Sequence, residues 1–194
     1  MEHLECIVIG AGAIGLAITR ALSSAREVAV LEQHQSFGEE TSSRNSGVIH
    51  AGIYYPPDFL KTRLCTEGNR QLYHYCQQHN IPHKACGKLI IASNADEIPA
   101  LKSLEIQAKT NGINNLQWLN QSEVAAKEPN IRAVAALFSP STGIIDSHAY
   151  MQQLCSDIIS NGSHVLYRQT VTGISKTGKG FMVTINDHEQ IECN

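Results

Sequence analysis

Two features near the amino end have residue types and spacing that could do chemistry: the run Gly10-Ala-Gly-Ala-Ile-Gly15 and, 22 positions after Gly10, the carboxylate of Glu32. In a G-x-G-x-x-G run the first glycine permits a tight turn. The second lets the backbone approach a pyrophosphate, and the third lets a helix pack closely on a strand. The helix that follows offers free N–H groups and a partial positive charge to phosphates. An acid about 20 residues further on can accept hydrogen bonds from two ribose hydroxyls and repels a 2′-phosphate. The pattern therefore points to FAD or NAD rather than NADP. Without its context it is equally a turn of small residues in an ordinary βαβ unit.

The flanking elements supply that context. Leu4–Gly10 is a short apolar run ending in glycine and reads as a buried parallel strand. Gly12–Ser24 has apolar residues at Ile14, Ala17, Ile18, Ala21 and Leu22, one face of a helix. Glu27–Glu32 reads as a second buried strand, so the three form a βαβ unit. Asp58–Asn80 reads as a helix with Leu60, Leu64, Leu72 and Tyr75/Cys76 inward, and Gly87–Ser93 as a strand. Ser93–Asp96 resembles a capping box opening a helix that Gly112 stops. A short helix over Asn120–Lys127 and a strand over Ala133–Ser139 follow. Asp146 is an N-cap for a helix burying Tyr150, Leu154, Cys155 and Ile158, which Asn161-Gly162 ends. His164–Ile174 and Gly180–Asn186 read as strands of a hairpin, with a further strand from His188. The strand after Asn161-Gly162 is expected to return to the sheet begun by the βαβ unit. The last hairpin has no element after it to close the sheet, so the sequence reads as the N-terminal portion of a longer protein.

The segment Gln33–Pro57 is polar, glycine-rich and aperiodic. Its hydroxyls, amides and glycines could run beneath an extended cofactor and donate to phosphate and ring oxygens, or it could be a solvated loop. Spacing alone leaves a flavin and a nicotinamide dinucleotide as alternatives. Cys76, His79, His83 and Cys86 offer four zinc-type ligands in eleven residues, but their spacing fits paired knuckles poorly and no metal site is assigned. The 194 residues are 42% hydrophobic and 17% charged with a net charge of −3, which suits a core-forming globular protein and argues against a nucleic-acid binder. No apolar run approaches the ~18 residues of a membrane span. Six scattered cysteines without an export signal read as reduced thiols, and the expected location is cytoplasmic. Peripheral membrane association is left open.

The fingerprint with Glu32, then Thr41–Tyr55 (Thr-Ser-Ser-Arg-Asn-Ser-Gly-Val-Ile-His-Ala-Gly-Ile-Tyr-Tyr), closely resembles the FAD-dependent oxidoreductases of the D-amino-acid-oxidase/glycine-oxidase superfamily. The nearest branch resembles the L-2-hydroxyglutarate oxidase/dehydrogenase group and its bacterial relatives. Leu60–Cys65, Cys86–Ile90, Glu128-Pro129 and Ser141–Asp146 extend the likeness in order along the chain. It departs from the branch where Arg44 replaces a histidine, which bears on the substrate, and such enzymes are roughly twice as long.

The resemblance implies an α/β fold: a discontinuous Rossmann-like FAD-binding domain (1–53 and 146–194) with an inserted α+β segment of a substrate domain (54–145), truncated at its C-terminus. It implies oxidation of a small 2-hydroxy acid to the 2-oxo acid, with hydride passing to flavin N5 and electrons then to oxygen, a quinone or a carrier. Gly10, Gly12, Gly15 and Glu32 match the FAD fingerprint. Thr41, Ser42, Asn45, Ser46 and Gly47 match a second flavin-contacting loop, and Val171 would meet the adenine through its backbone. His50 is the candidate catalytic group beside the isoalloxazine, because an imidazole titrates near neutrality; it could equally be structural. Lys61 and Arg63 could attract an acidic substrate or simply form a solvated helix face. The competing readings are an amine or amino-acid oxidase of the same superfamily, an NAD-binding module without flavin, and an inactive fragment.

Overall fold

The computed structural model describes residues 3–194. In chain order its elements are β1 (His3–Leu4), β2 (Cys6–Ile9), α1 (Ala13–Ser23), β3 (Val28–Glu32), β4 (Val48–Ile49), α2 (Leu60–Gln78), β5 (His83–Lys84), β6 (Lys88–Ala92) and α3 (Ile98–Thr110). They continue with β7 (Gln117–Asn120), α4 (Gln121–Lys127), β8 (Ala135–Ser139), β9 (Gly143–Ile145), α5 (Ser147–Ser160), β10 (His164–Tyr167), β11 (Val171–Lys176), β12 (Phe181–Ile185) and β13 (Glu189–Cys193). Two units emerge: the residues up to Ser46 together with Asp146–Asn194, and Gly47–Ile145. The first crossing falls at Ser46 rather than residue 53. The reason is local: β4 pairs with β9, and Ala51 and Ile53 pack with Ala108 and Ile113.

The first unit holds the βαβ unit. Strands β2, β3 and β10 form a parallel sheet in the order β10-β3-β2, with Cys6 opposite Val28 and His164 opposite Ala29. Every residue of β3 is buried, which its unbroken apolar run requires of a central parallel strand. Helices α1 and α5 pack together and are joined by an Arg20–Asp157 ion pair at 2.9 Å and by Asn161 Nδ2 donating to Ser23 Oγ. A second sheet, β1-β13-β12-β11, buries Val183, Ile185 and Cys193 beside Ala29 and Leu31.

Periodicity misread one face of this unit. Helix α1 turns Leu16, Thr19 and Ser23 inward and leaves Ile14 and Ile18 exposed. Thr19 can be buried because its hydroxyl donates to the Gly15 carbonyl at 2.8 Å. The stretch His164–Ile174 is two strands in different sheets, since Arg168 takes a left-handed conformation (φ 60°) between them.

The second unit contains two small antiparallel sheets, β4-β9-β5 and β6-β8-β7. Leu137 of the central β8 packs with Ala92 and Leu101, and Val124 packs with Leu119 and Ala136. Helix α2 buries Thr62, Tyr75 and Cys76, while Leu60 and Leu64 are exposed, contrary to the expected stripe. The cap expected at Ser93–Asp96 is instead built by Asn94, which accepts from the Asp96 amide, and by Glu97, which accepts from the Ser93 amide. A full capping box opens α4: Asn120 Oδ1 accepts from the amides of Ser122 and Glu123, and Glu123 Oε2 from the Asn120 amide at 2.7 Å. Replacing such a cap typically costs about 1 kcal/mol. Asn120→Ala should therefore lower the denaturation free energy by about that much, measured by urea titration, with the slope unchanged.

Candidate functional site

The turn from β2 into α1 favours glycine at Gly10 through its backbone conformation and at Gly15 through lack of space. Gly10 has φ +94° and donates to the Leu31 carbonyl at 2.7 Å, tying the turn to the end of β3. A Cβ at Gly15 would lie 1.9 Å from the Gly10 carbonyl oxygen, backbone against backbone. The third glycine thus sets how close the helix comes to the strand.

Glu32 closes the other side. The residue is 7% exposed. Oε2 accepts from the Ala11 amide at 2.8 Å and Oε1 from the His34 amide at 2.9 Å. A carboxylate has about four acceptor positions, so two N–H bonds fix its orientation and leave lone pairs for ribose hydroxyls. Ser42 reaches back from the following loop: its Oγ accepts from the Ala13 amide at 3.0 Å and lies where a Cβ on Gly12 would touch it. Gly38 donates to the Ala11 carbonyl at 2.9 Å, and Gln169 to the Glu32 carbonyl at 2.8 Å.

These elements enclose a cleft of about 470 Å³. Of the expected cofactor residues, Gly10, Gly12, Gly15, Glu32, Thr41, Ser42 and Val171 line it together. Asn45 lies in the same unit, where its Nδ2 donates to the Ser42 carbonyl and to Ser147 Oγ, bracing the loop; it is not a lining residue, nor is Ser46. Gly47 opens the second unit, where its carbonyl accepts from the Ile145 amide at 2.8 Å. The cleft is also lined by Gln33, Gly38, Glu39, Glu40 and Gln169, which motif reading did not single out. Gln33, Gly38, Glu39 and Glu40 fall within the aperiodic segment, whose composition was their one signal. Gln169 arrives through the break between β10 and β11, which no local pattern announces.

The charges in the cleft are one-sided. Glu32, Glu39 and Glu40 line it, while no lysine or arginine does. His34 Nε2 lies 2.7 Å from Glu40 Oε1. Favourable potential for a pyrophosphate comes from the helix N-terminus, where the amides of Gly12, Ile14 and Gly15 have no partner among the described residues. Free amides, a hydroxyl and a buried carboxylate match the phosphates and ribose of an adenine dinucleotide, so these residues fit FAD. Behind the sheet, burial pushes the Tyr167 phenol well above its ordinary value, with Cys155 at 3.9 Å and Glu32 adding to the effect. It remains protonated, as does Cys155, whose thiol burial also pushes up.

His50 lies in the second unit, exposed, at the start of the segment His50–Tyr55. It lines a small recess with Tyr54, Tyr55, Lys88 and Thr142. Its carbonyl accepts from Asn69 Nδ2 at 3.0 Å. Burial pushes the Cys65 thiol up, against the opposing effect of Lys61, so it is a neutral group that contacts the same carbonyl at 3.7 Å. Lys61 Nζ sits over the Tyr55 ring at 4.4 Å and Lys88 Nζ over Tyr54 at 4.5 Å; Arg63 is exposed. Among the described residues no three His, Cys, Asp or Glu side chains gather as a metal site, and no helix is long and apolar enough to cross a membrane.

Comparison with known proteins follows the same lines. A family described as FAD dependent oxidoreductase (DAO) matches residues 5–193. The mitochondrial L-2-hydroxyglutarate dehydrogenase of Arabidopsis thaliana is 48% identical over 154 residues, covering 79% of this chain and 32% of that protein. The human protein of the same name is 39% identical over 176 residues, covering 89% of this chain and 38% of its own length. Among solved structures, FAD-bound L-alpha-glycerophosphate oxidase from Mycoplasma pneumoniae superposes with a TM-score of 0.92 at 28% identity, over 99% of this chain and 53% of that one. Glycine oxidase from Geobacillus kaustophilus shares the fold, with a TM-score of 0.87 at 19% identity over 100% of this chain and 54% of that one. The chain thus spans about a third to a half of the length of these relatives.

Two substitutions test the cleft. Gly15→Ala should abolish FAD retention on desalting and lower stability, since neither backbone can yield a gap of that size. Glu32→Gln leaves an NH₂ facing a backbone N–H, and an unsatisfied buried donor costs about 1–3 kcal/mol. Urea titration should register that loss, and equilibrium dialysis should show FAD bound at least tenfold more weakly.

Proposed function

The chain belongs to the DAO family of FAD-dependent oxidoreductases, and on that premise we propose that it serves oxidation of a small 2-hydroxy acid of the L-2-hydroxyglutarate type to the 2-oxo acid. The observation that carries this reading is the 48% identity to the Arabidopsis L-2-hydroxyglutarate dehydrogenase across 79% of the chain. FAD is the cofactor. A nicotinamide module without flavin is ruled out by the family match. The amine and amino-acid oxidase reading draws on glycine oxidase, which at 19% identity speaks for the fold alone.

Gly12, Ile14 and Gly15 would donate their amides to the FAD pyrophosphate, Ser42 its hydroxyl, and Glu32 would accept from the ribose. Thr41 and Val171 would line the adenosine end, and Asn45, Ser46 and Gly47 would carry the chain on from it. Bound FAD supplies the hydride acceptor. His50 would take the proton from the substrate hydroxyl at an imidazole nitrogen, as the imidazole of the recess it lines with Tyr54, Tyr55 and Lys88. A general base of this kind contributes about 10²–10⁴-fold. The electron acceptor of the reading is oxygen, a quinone or a carrier. Composition favours a cytoplasmic home, whereas the plant and human relatives carry mitochondrial names.

The test is the visible spectrum of the chain reconstituted with FAD, followed without oxygen. L-2-hydroxyglutarate should bleach the flavin band and glycine should not; the opposite selectivity would favour the amino-acid oxidase reading. His50→Asn should retain FAD and slow bleaching by at least about 10²-fold. Unchanged bleaching would remove His50 from the chemistry.

A further inference from the structure

The segment His50–Tyr55 is held almost entirely through its carbonyl oxygens, by side chains rather than by a sheet or helix. Asn111 Nδ2 donates to the Gly52 carbonyl at 3.0 Å and the Tyr55 carbonyl at 2.9 Å. Gln107 Nε2, one helical turn earlier, donates to the Ile53 carbonyl at 3.1 Å and again to Tyr55 at 3.2 Å. Asn69 Nδ2 on α2 donates to the His50 carbonyl and to the Ser141 carbonyl, each at 3.0 Å. Four of the six carbonyls are therefore fastened by three amide side chains. The apolar residues between them, Ala51 and Ile53, are buried against Ala108 and Ile113 of the same helical region.

This use of amides has a chemical reason. An Asn or Gln NH₂ carries two donors in one plane, so one side chain can fix two carbonyls in a set relation. Asn111 does so although its own Oδ1 is buried with no partner among the described residues. An unpaired buried acceptor is costly, so its two N–H bonds set the orientation of the group. Gly52, at φ +89°, gives the segment the turn that lets these carbonyls reach two helices.

We propose that Asn69, Gln107 and Asn111 are positioning residues that hold His50, Tyr54 and Tyr55 at the substrate site. The proposal rests on the reading of His50 as the proton acceptor. A misplacement of about 1 Å in a reacting group can cost about 10²-fold in rate. Loss of the frame should thus appear in kcat, with substrate affinity little changed.

The experiment compares Asn111→Asp and Gln107→Glu with the parent chain and with Lys102→Ala, an exposed change on the same helix. Each carboxylate keeps the shape but sets an acceptor against two carbonyl oxygens. Amide hydrogen exchange at Ala51–Tyr55 and the His50 ring resonances report the frame; anaerobic flavin bleaching by L-2-hydroxyglutarate reports its use. Expected for Asn111→Asp are exchange at least tenfold faster at these amides, shifted His50 resonances, and bleaching about 10²-fold slower with KM within about twofold. The milder Gln107→Glu serves if Asn111→Asp does not fold. Exchange and His50 resonances unchanged in a folded variant would overturn the proposal, with or without turnover. If His50→Asn slows bleaching and the amide variants do not, positioning alone fails. If the amide variants slow it and His50→Asn does not, only the role of His50 fails and the frame serves another group.

Discussion

The bond pair between the Glu32 carboxylate and the amides of Ala11 and His34 is the constraint on which the cofactor unit depends. It joins the turn after β2 to the chain leaving β3. Both are carboxyl ends of adjacent parallel strands, where ligands gather in sheets of this kind. With the carboxylate so fixed, the Gly10 amide meets the Leu31 carbonyl and α1 starts at one height above the sheet. The helix then brings its unpaired amides to the cleft, and Ser42 can reach Ala13 from a distant loop. A side chain that marks ribose recognition in the sequence is thereby also the structural clamp of the fold.

The two units solve the problem of ordering irregular chain in different ways. In the first, the loop after β3 is anchored by isolated bonds to the turn it covers: Gly38 to Ala11 and Ser42 to Ala13. In the second, the segment after β4 is tied carbonyl by carbonyl to α2 and α3. Both are long stretches without a strand or an α-helix. Such stretches persist in compact proteins when their backbone groups find partners elsewhere.

Legibility in the sequence tracked the range of the interactions. The βαβ unit, the fingerprint and the cap at Asp146 are local, and local patterns announced them. The likeness to FAD oxidoreductases came from the same local runs. The buried face of α1 was misjudged because Thr19 satisfies its hydroxyl within the helix and can pack inward, while Ile14 and Ile18 lie outside. Leu60 and Leu64 misled in the same way at the start of α2. Gln169, Gln107 and Asn111 could not be found, because their partners lie 52 to 137 positions away and an isolated amide has no signature. The partition at Ser46 depended likewise on the pairing of β4 with β9.

The absence of lysine and arginine from the cleft lining has a consequence for how the cofactor arrives. Three carboxylates face an anionic ligand, and the attraction comes from dipoles whose field fades within a turn of the helix. Long-range steering is thus weak or adverse, and association should proceed below the rates that charged funnels reach. Added salt should screen the carboxylates more than the short-range amide contacts. Loading of the cofactor should therefore quicken, rather than slow, as ionic strength rises.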